Sequence, residues 1–311
     1  MCDPMRLSGY IADIPTPFDA NGTIDWAAFD RLCRRQIHVG ASAIVVAETA
    51  GETWALTLRE HQDLIRAAVA VSQKRVAVIA GAGSNSTAQA IELARQAEAA
   101  GADAIMSVVP YYNKPMQDGL AAHFSAIAAA TALPIIVHDS PSRTARALAD
   151  ATMIRLAQSP QFAGLRDSSG DVTRLARLRP QLPPGFRLLC GDDATATAFM
   201  LQGGHGCVSL LANVVPDLCG DLADACLREQ TGTIQDLGGR LAPLAAALAQ
   251  DSVPAALKCA LTLLGLMSPY VRLPVVAMDA PSKAAIATAL AAIPVSAELV
   301  PRNPRRASIV R

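Results

Sequence analysis

Two rhythms alternate along the chain. Short apolar runs, rich in Val, Ile and Ala and without polar alternation, recur at 10–14, 42–47, 76–80, 104–109, 134–138, 162–166, 187–190 and 206–210. Such runs are what parallel strands covered on both faces require. Between them the apolar positions recur with helical spacing. In 87–101, TAQAIELARQAEAAG, residues Ala90, Ile91, Ala94, Ala97 and Glu98 sort by that period and Gly101 stops the helix. The stretch 23–40 behaves alike and ends at Gly40. Eight strands with intervening helices, repeating every 20–35 residues or roughly so, predict an α/β fold of the (β/α)8 (TIM) barrel type. A doubly wound sheet is the alternative, but it calls for a glycine-rich turn after the first strand, and the chain there reads IPTPF. The strands are used up by residue 210, and the remaining chain is Ala/Leu-rich and helical. We assign 1–220 to the barrel, 221–300 to a C-terminal helical extension and 301–311 to a flexible tail.

Composition narrows the function classes. Of 311 residues, 51% are hydrophobic and 17% charged, enough for a large core and against global disorder. The formal net charge is zero and no basic face stands out, so a nucleic-acid partner is not expected. No run approaches the ~18 apolar residues of a membrane span, and the start, MCDPMRL, lacks the apolar core of a signal peptide. The seven cysteines form no C-x-x-C pair and read as buried thiols in a reducing compartment. A soluble, cytoplasmic protein is expected.

In a barrel of this kind the chemistry sits where strands end. Those ends carry Glu48, Thr49 and Ala50; Tyr111 and Tyr112; His138 and Asp139; Arg166 and Asp167; and Gly191 to Asp193. Arg166, in the segment GLRDSSG, has three readings. It is a structural partner for carboxylates such as Glu48 and Asp167, a bidentate clamp for a substrate carboxylate, or drift. His138 is a packed residue or a titrating one. Glu48, His138 and Asp167 lack the local spacing of a metal site, and neither metal nor cofactor is expected. Asp192 reads as the N-cap of the next helix, and Tyr111 as interface packing.

The segments ETAGET, VVPYYNKP, HDSPSRT, GDDA and GGHGCVS, in this order, resemble the dihydrodipicolinate synthase / N-acetylneuraminate lyase family. These are pyruvate aldolases on a (β/α)8 barrel that form a Schiff base through a lysine at the end of strand six. The resemblance implies that Thr49 and Tyr112 belong to a proton relay, with Tyr112 reaching into a neighbouring subunit of a homotetramer built as a dimer of dimers. It implies that Arg143 meets a substrate carboxylate, as in some members, and that Gly191 and Val208 line the site; the loop that lines it with them departs from the family, with Glu48 in place of its usual glycine and Ala50 in place of its second threonine. Two positions depart. The relay tyrosine is His138, and the Schiff-base lysine is Arg166. An imine needs a neutral amine, which a guanidinium cannot supply. Of the four lysines, Lys74 precedes strand three, Lys258 and Lys283 lie in the extension, and Lys114 is in a loop rather than on a strand tip. The expected function is a lyase/aldolase-family protein that binds a small 2-oxo acid such as pyruvate, or a related carboxylate, with the imine route lost and any catalysis of acid/base type. The alternative is a non-catalytic carboxylate-binding or partner subunit. Thr49, Tyr112, His138 and Arg166 are the catalytic candidates.

Overall fold

The structure, a computed structural model, describes residues 7–249 and 253–293. Eight parallel strands close into a barrel in sequence order. They are β1 (Gly9–Asp13), β2 (Ala43–Val46), β3 (Ala77–Gly81), β4 (Ala104–Val108), β5 (Ile135–Asp139), β6 (Phe162–Asp167), β7 (Arg187–Cys190) and β8 (Gly206–Ser209). All eight expected strands are present, displaced by a residue or two at most, and β1 pairs with β8 to complete the ring.

Because side chains alternate across a strand, the barrel has two cores. Inward-facing Ile11, Val45, Ile79, Met106, Ile136, Leu189 and Val208 fill the interior. The outward set, including Ala12, Ile44, Val78, Ile105, Val137 and Leu165, packs under the helices. The interior is therefore a plug of side chains, and polar groups at the carboxyl ends of the strands rest on an apolar floor.

The helices start where the sequence provides caps. Asp25 accepts from the Ala28 amide ahead of helix Trp26–His38. Thr57 and Glu60 form a reciprocal capping box for helix Leu58–Ser72. Ser86 caps Thr87–Ala99, whose buried face is Ala90, Leu93, Ala94 and Ala97, with Ile91 only half-buried.

Helix Pro216–Leu227 crosses residue 220 and packs on β1. Beyond it lie helices Thr231–Ala249, Val253–Leu263 and Ala280–Ala291. Helix Val253–Leu263 docks on the short helix after β8. It carries Lys258, fully buried, whose ammonium pairs with Glu52 at 2.6 Å, donates to the Tyr270 carbonyl at 2.8 Å and sits over the Phe18 ring. The extension is thus tied to the loops after β1 and β2. The expected tail, 301–311, lies outside the described residues. Among the described residues no helix is long and apolar enough to cross a membrane.

Candidate active site

The carboxyl ends of β1, β2, β5 and β6 bring Asp13, Glu48, His138 and Arg166 together, all nearly inaccessible to solvent. Arg166 Nη1 donates to Glu48 Oε2 at 2.9 Å and to Asp13 Oδ2 at 3.2 Å. His138 Nδ1 lies 2.8 Å from the other Glu48 oxygen, and Nε2 lies 3.2 Å from Ser168 Oγ. One hydrogen-bonded chain therefore runs Asp13–Arg166–Glu48–His138–Ser168. The register explains the convergence: His138 is level with Arg166 across the β5–β6 ladder, so their inward side chains share one layer.

The backbone after β2 is shaped to present Glu48. Ala47 takes a left-handed φ of 53°, uncommon for a residue with a Cβ. A Cβ at position 81 would come within 2.1 Å of the Ala47 carbonyl oxygen, so Gly81 is what lets this turn lie against β3. The Thr49 amide donates to Glu48 Oε2, and the Ala50 amide approaches Asp13 at 3.5 Å while its methyl is buried in the outer core.

Charge settles the protonation pattern. Burial would push the Glu48 carboxyl up, but His138, Arg166 and the Thr49 amide together hold it well below its ordinary range. Burial, reinforced by repulsion from Glu48, pushes Asp13 up to about 7 against the pull of Arg166. His138 is lowered by burial and by Arg166, with Glu48 opposing. At neutral pH Glu48 is thus an anion and His138 a neutral imidazole. A charged Glu48 takes the Nδ1 proton as its hydrogen-bond donor, which leaves Nε2 as an acceptor facing the Ser168 hydroxyl.

Among the other anticipated residues, Thr49 is half-buried beside Glu48. Arg143 stands on the short helix Pro141–Thr144 after β5, exposed, its amide donating to the Ser140 carbonyl and its side chain making no hydrogen bond to a described residue. Burial of part of its stem and the charge of Arg166 lower its pKa, while Glu48 and Asp13 raise it, so its charge acts on the cluster. Gly191, at the end of β7, leaves room that a Cβ would take from Ser168 Oγ, only 1.9 Å away. Val208 is level with Ile11 on β1, one pleat below Asp13, and forms part of the apolar floor. Tyr112 is 90% exposed, with a left-handed φ of 71°.

Two expectations are corrected. Asp167 is not a partner of Arg166. Successive strand residues face opposite sides, so Asp167 points outward and meets Arg174 at 3.3 Å. Asp192 is not the cap of the next helix, which begins at Ala196 behind Thr195; its carboxylate instead accepts from the Ala194 amide in the preceding turn. Two site residues escaped sequence reasoning. Asp13 is an acid ending an otherwise apolar strand, a signal that was available. Ser168, two residues past Arg166, gave none. Among the described residues no group of three His, Cys, Asp or Glu is placed to hold a metal ion.

A cluster of polar side chains at the carboxyl ends of eight parallel strands, over an apolar plug, is the layout of a (β/α)8-barrel enzyme. Comparison narrows that class. The dihydrodipicolinate synthetase family matches residues 6–293, and the chain belongs to that family. It is 42% identical over 285 residues to the 4-hydroxy-tetrahydrodipicolinate synthase of Methylobacterium radiotolerans, covering 92% of this chain and 95% of that one. Among solved structures it resembles dihydrodipicolinate synthase from Bacillus anthracis, with TM-score 0.91 and 34% identity over 94% of this chain and all of the other. It also resembles the chloride-inhibited enzyme from Acinetobacter baumannii complexed with pyruvate, with TM-score 0.89 and 35% identity over 93% and 100% of the two chains.

Proposed function

We propose that this protein binds a small 2-oxo acid or related carboxylate at the barrel mouth and does so without forming an imine. The observation that carries this reading is the guanidinium at the tip of β6, held by Asp13 and Glu48. The described lysines offer no substitute. Lys258 is lowered to about 8 by burial, but it is committed to Glu52 and Tyr270 outside the barrel interior. Lys114 sits at a left-handed position in the exposed loop after β4.

Arg143 is the natural anchor for the ligand's carboxylate, because its guanidinium has no partner among the described residues to give up. Arg166 contributes a weaker grip. Its Nη1 is shared by two carboxylates, while its buried Nε has no partner. Catalysis, where it occurs, is acid/base chemistry through His138, oriented by Glu48, with Thr49 beside it. Arg143 and a site already neutralised by its own ion pairs are also compatible with binding without turnover, as a carboxylate-binding or partner subunit. The relay role of Tyr112 in a neighbouring subunit belongs to the same reading. Its nearly complete exposure in the single chain supports a homotetramer in which it is covered, and a stable monomer in sedimentation at micromolar concentration would remove that support. The six described cysteines, all buried and none in a disulfide, favour a reducing compartment such as the cytoplasm.

The test is incubation with pyruvate and borohydride, followed by intact mass. No reduced adduct is expected, whereas calorimetry should detect pyruvate or a short dicarboxylate binding, weakened at least about tenfold by Arg143→Ala. A reduced pyruvyl adduct on the unmodified protein would overturn the loss of the imine route.

A further inference from the structure

The dipeptide after Arg166 supplies a group that the 2-oxo acid reading leaves idle. Ser168 is half-buried and lies at the site's rim. Its amide donates to the Asp139 carbonyl at 2.8 Å, which extends the β5–β6 ladder one step beyond the strand and fixes the serine over His138. Its hydroxyl faces His138 Nε2, whose opposite nitrogen faces Glu48. Glu48 is in turn held by Arg166 and the Thr49 amide. Hydroxyl, imidazole and carboxylate are thus ordered as in a nucleophile–base–orienter chain, which is recognised by geometry and not by sequence order. We propose that Ser168, His138 and Glu48 form a hydrolytic triad acting on small carboxylic esters that carry a second, anionic group.

Three observations extend the assignment beyond the two hydrogen bonds. Ser168 Oγ takes the space that a Cβ at residue 191 would fill, 1.9 Å from where that atom would stand, so only glycine there admits the hydroxyl in this position. Arg143, whose guanidinium has no partner among the described residues, supplies a cation to hold the anionic group of the ester. The imidazole is neutral at physiological pH and its basic nitrogen already points at the hydroxyl.

The chemistry balances with water as the only co-reactant. Ser168 Oγ attacks the ester carbonyl carbon and its proton passes to His138 Nε2. The carbon–oxygen bond to the alcohol breaks, and that proton leaves with the alkoxide. Water then attacks the acyl-serine, gives a proton to Nε2, and the collapse of the adduct releases the acid and restores the serine hydroxyl. His138 and Ser168 are the catalytic residues of this scheme; Glu48 and Arg166 are positioning residues. This activity does not require a 2-oxo acid ligand, so it stands or falls separately from the pyruvate test.

A fluorophosphonate probe on the full-length protein, read by intact mass and peptide mapping, tests it. One adduct is expected, on Ser168, absent in Ser168→Ala and formed about 100-fold more slowly in His138→Gln, the usual contribution of a general base. The labelling rate should rise with pH through the titration of His138, which lies below 6.5. The charged and polar groups facing that imidazole are Glu48, Ser168, Arg166 and Arg143, with Asp13 behind Arg166. Since Glu48 raises the His138 pKa, Glu48→Gln should move the midpoint to lower pH and lower the plateau. Ser168→Cys guards against a substitution that merely disturbs folding: its thiol should react with iodoacetamide about 100-fold faster when His138 is present than when His138→Gln is added. No adduct on the unmodified protein, an adduct on another residue that survives Ser168→Ala, or equal reactivity of the Ser168→Cys thiol with and without His138→Gln would overturn the proposal.

Discussion

Strands β5 and β6 each carry a pair of ionisable residues at their ends, and the two faces of the sheet use those pairs differently. Outward, Arg174 is buried among Asp139 at 2.7 Å, Asp150 at 2.8 Å and Asp167 at 3.3 Å, and Nη2 donates to the Leu148 carbonyl. All three of its nitrogens have partners. Inward, Arg166 meets Asp13 and Glu48 through one nitrogen, and its buried Nε and Asp13 Oδ1 have none. The outer cluster is closed: every group is matched, none is shared with a histidine, and its effect is to lock two strand ends together. The inner cluster is open. It contains a histidine, a carboxyl raised to about 7, and a hydroxyl seated against Gly191. Buried polar groups are costly unless satisfied, so unsatisfied ones on the site face, a pleat away from a fully satisfied set, are in keeping with the ligand site proposed there.

The sharpest way to break this contrast is to remove each arginine. Arg174→Met strands Asp139 and Asp167 without a cation and should lower stability by about 3–5 kcal/mol, measured by denaturant or thermal unfolding. Arg166→Met should cost clearly less. Asp13 can keep its proton, and Glu48 retains His138. Equal losses would mean that both clusters are structural. Gly191→Ala should leave stability nearly unchanged beside these, yet displace Ser168 from His138 and slow fluorophosphonate labelling at least about 100-fold. Unaltered labelling would show that the space above Gly191 is not used.

The extent to which the sequence announced this arrangement differs between fold and site. Strands β1 to β8 were legible because a strand buried on both faces must be apolar throughout, a pattern that needs no partner to be recognised. Helix starts were less so: the stretch beginning at Thr23 yields its cap to Asp25, and the one after β7 to Thr195. At the site, Arg166 and His138 stood out as chemically odd at the tips of apolar strands. Their partners did not, since Asp13 is 153 positions from Arg166 and only barrel closure brings them into contact. The mistaken pairing of Asp167 came from sequence adjacency, which on a strand guarantees separation, not contact. Ser168 was invisible because its meaning depends on a histidine contributed by another strand.

The next test restores the amine. Arg166→Lys should trap little pyruvate, because Glu48 and Asp13 surround the new ammonium and hold it protonated. Adding Glu48→Gly should raise the trapped fraction, read by borohydride and intact mass, and adding His138→Tyr should then raise turnover more than it does in the Arg166 background. Substantial trapping by Arg166→Lys alone would mean that the inner carboxylates exert less hold on the β6 tip than their distances imply.

The gentlest probe of the open cluster is its own titration. Folding raises Asp13 from its ordinary carboxyl value to about 7, chiefly through burial and then through Glu48. Between these two pH values the folded protein holds a proton that the unfolded chain has lost. Stability from this group is therefore fully present below the unfolded value of ~3.9 and declines as pH rises toward 7, by at most about 1.4 kcal/mol per unit. Glu48 pulls the other way, since its folded pKa is depressed and its contribution is lost as pH falls. The two partly cancel in the unmodified protein. Asp13→Asn isolates one of them: the amide mimics the protonated carboxyl and cannot ionise. The variant should match the unmodified protein near pH 4 and gain on it steadily toward pH 7, in unfolding curves taken at constant ionic strength. A constant offset across that range would show that Asp13 is ionised throughout and that the inner cluster is as closed as the outer one.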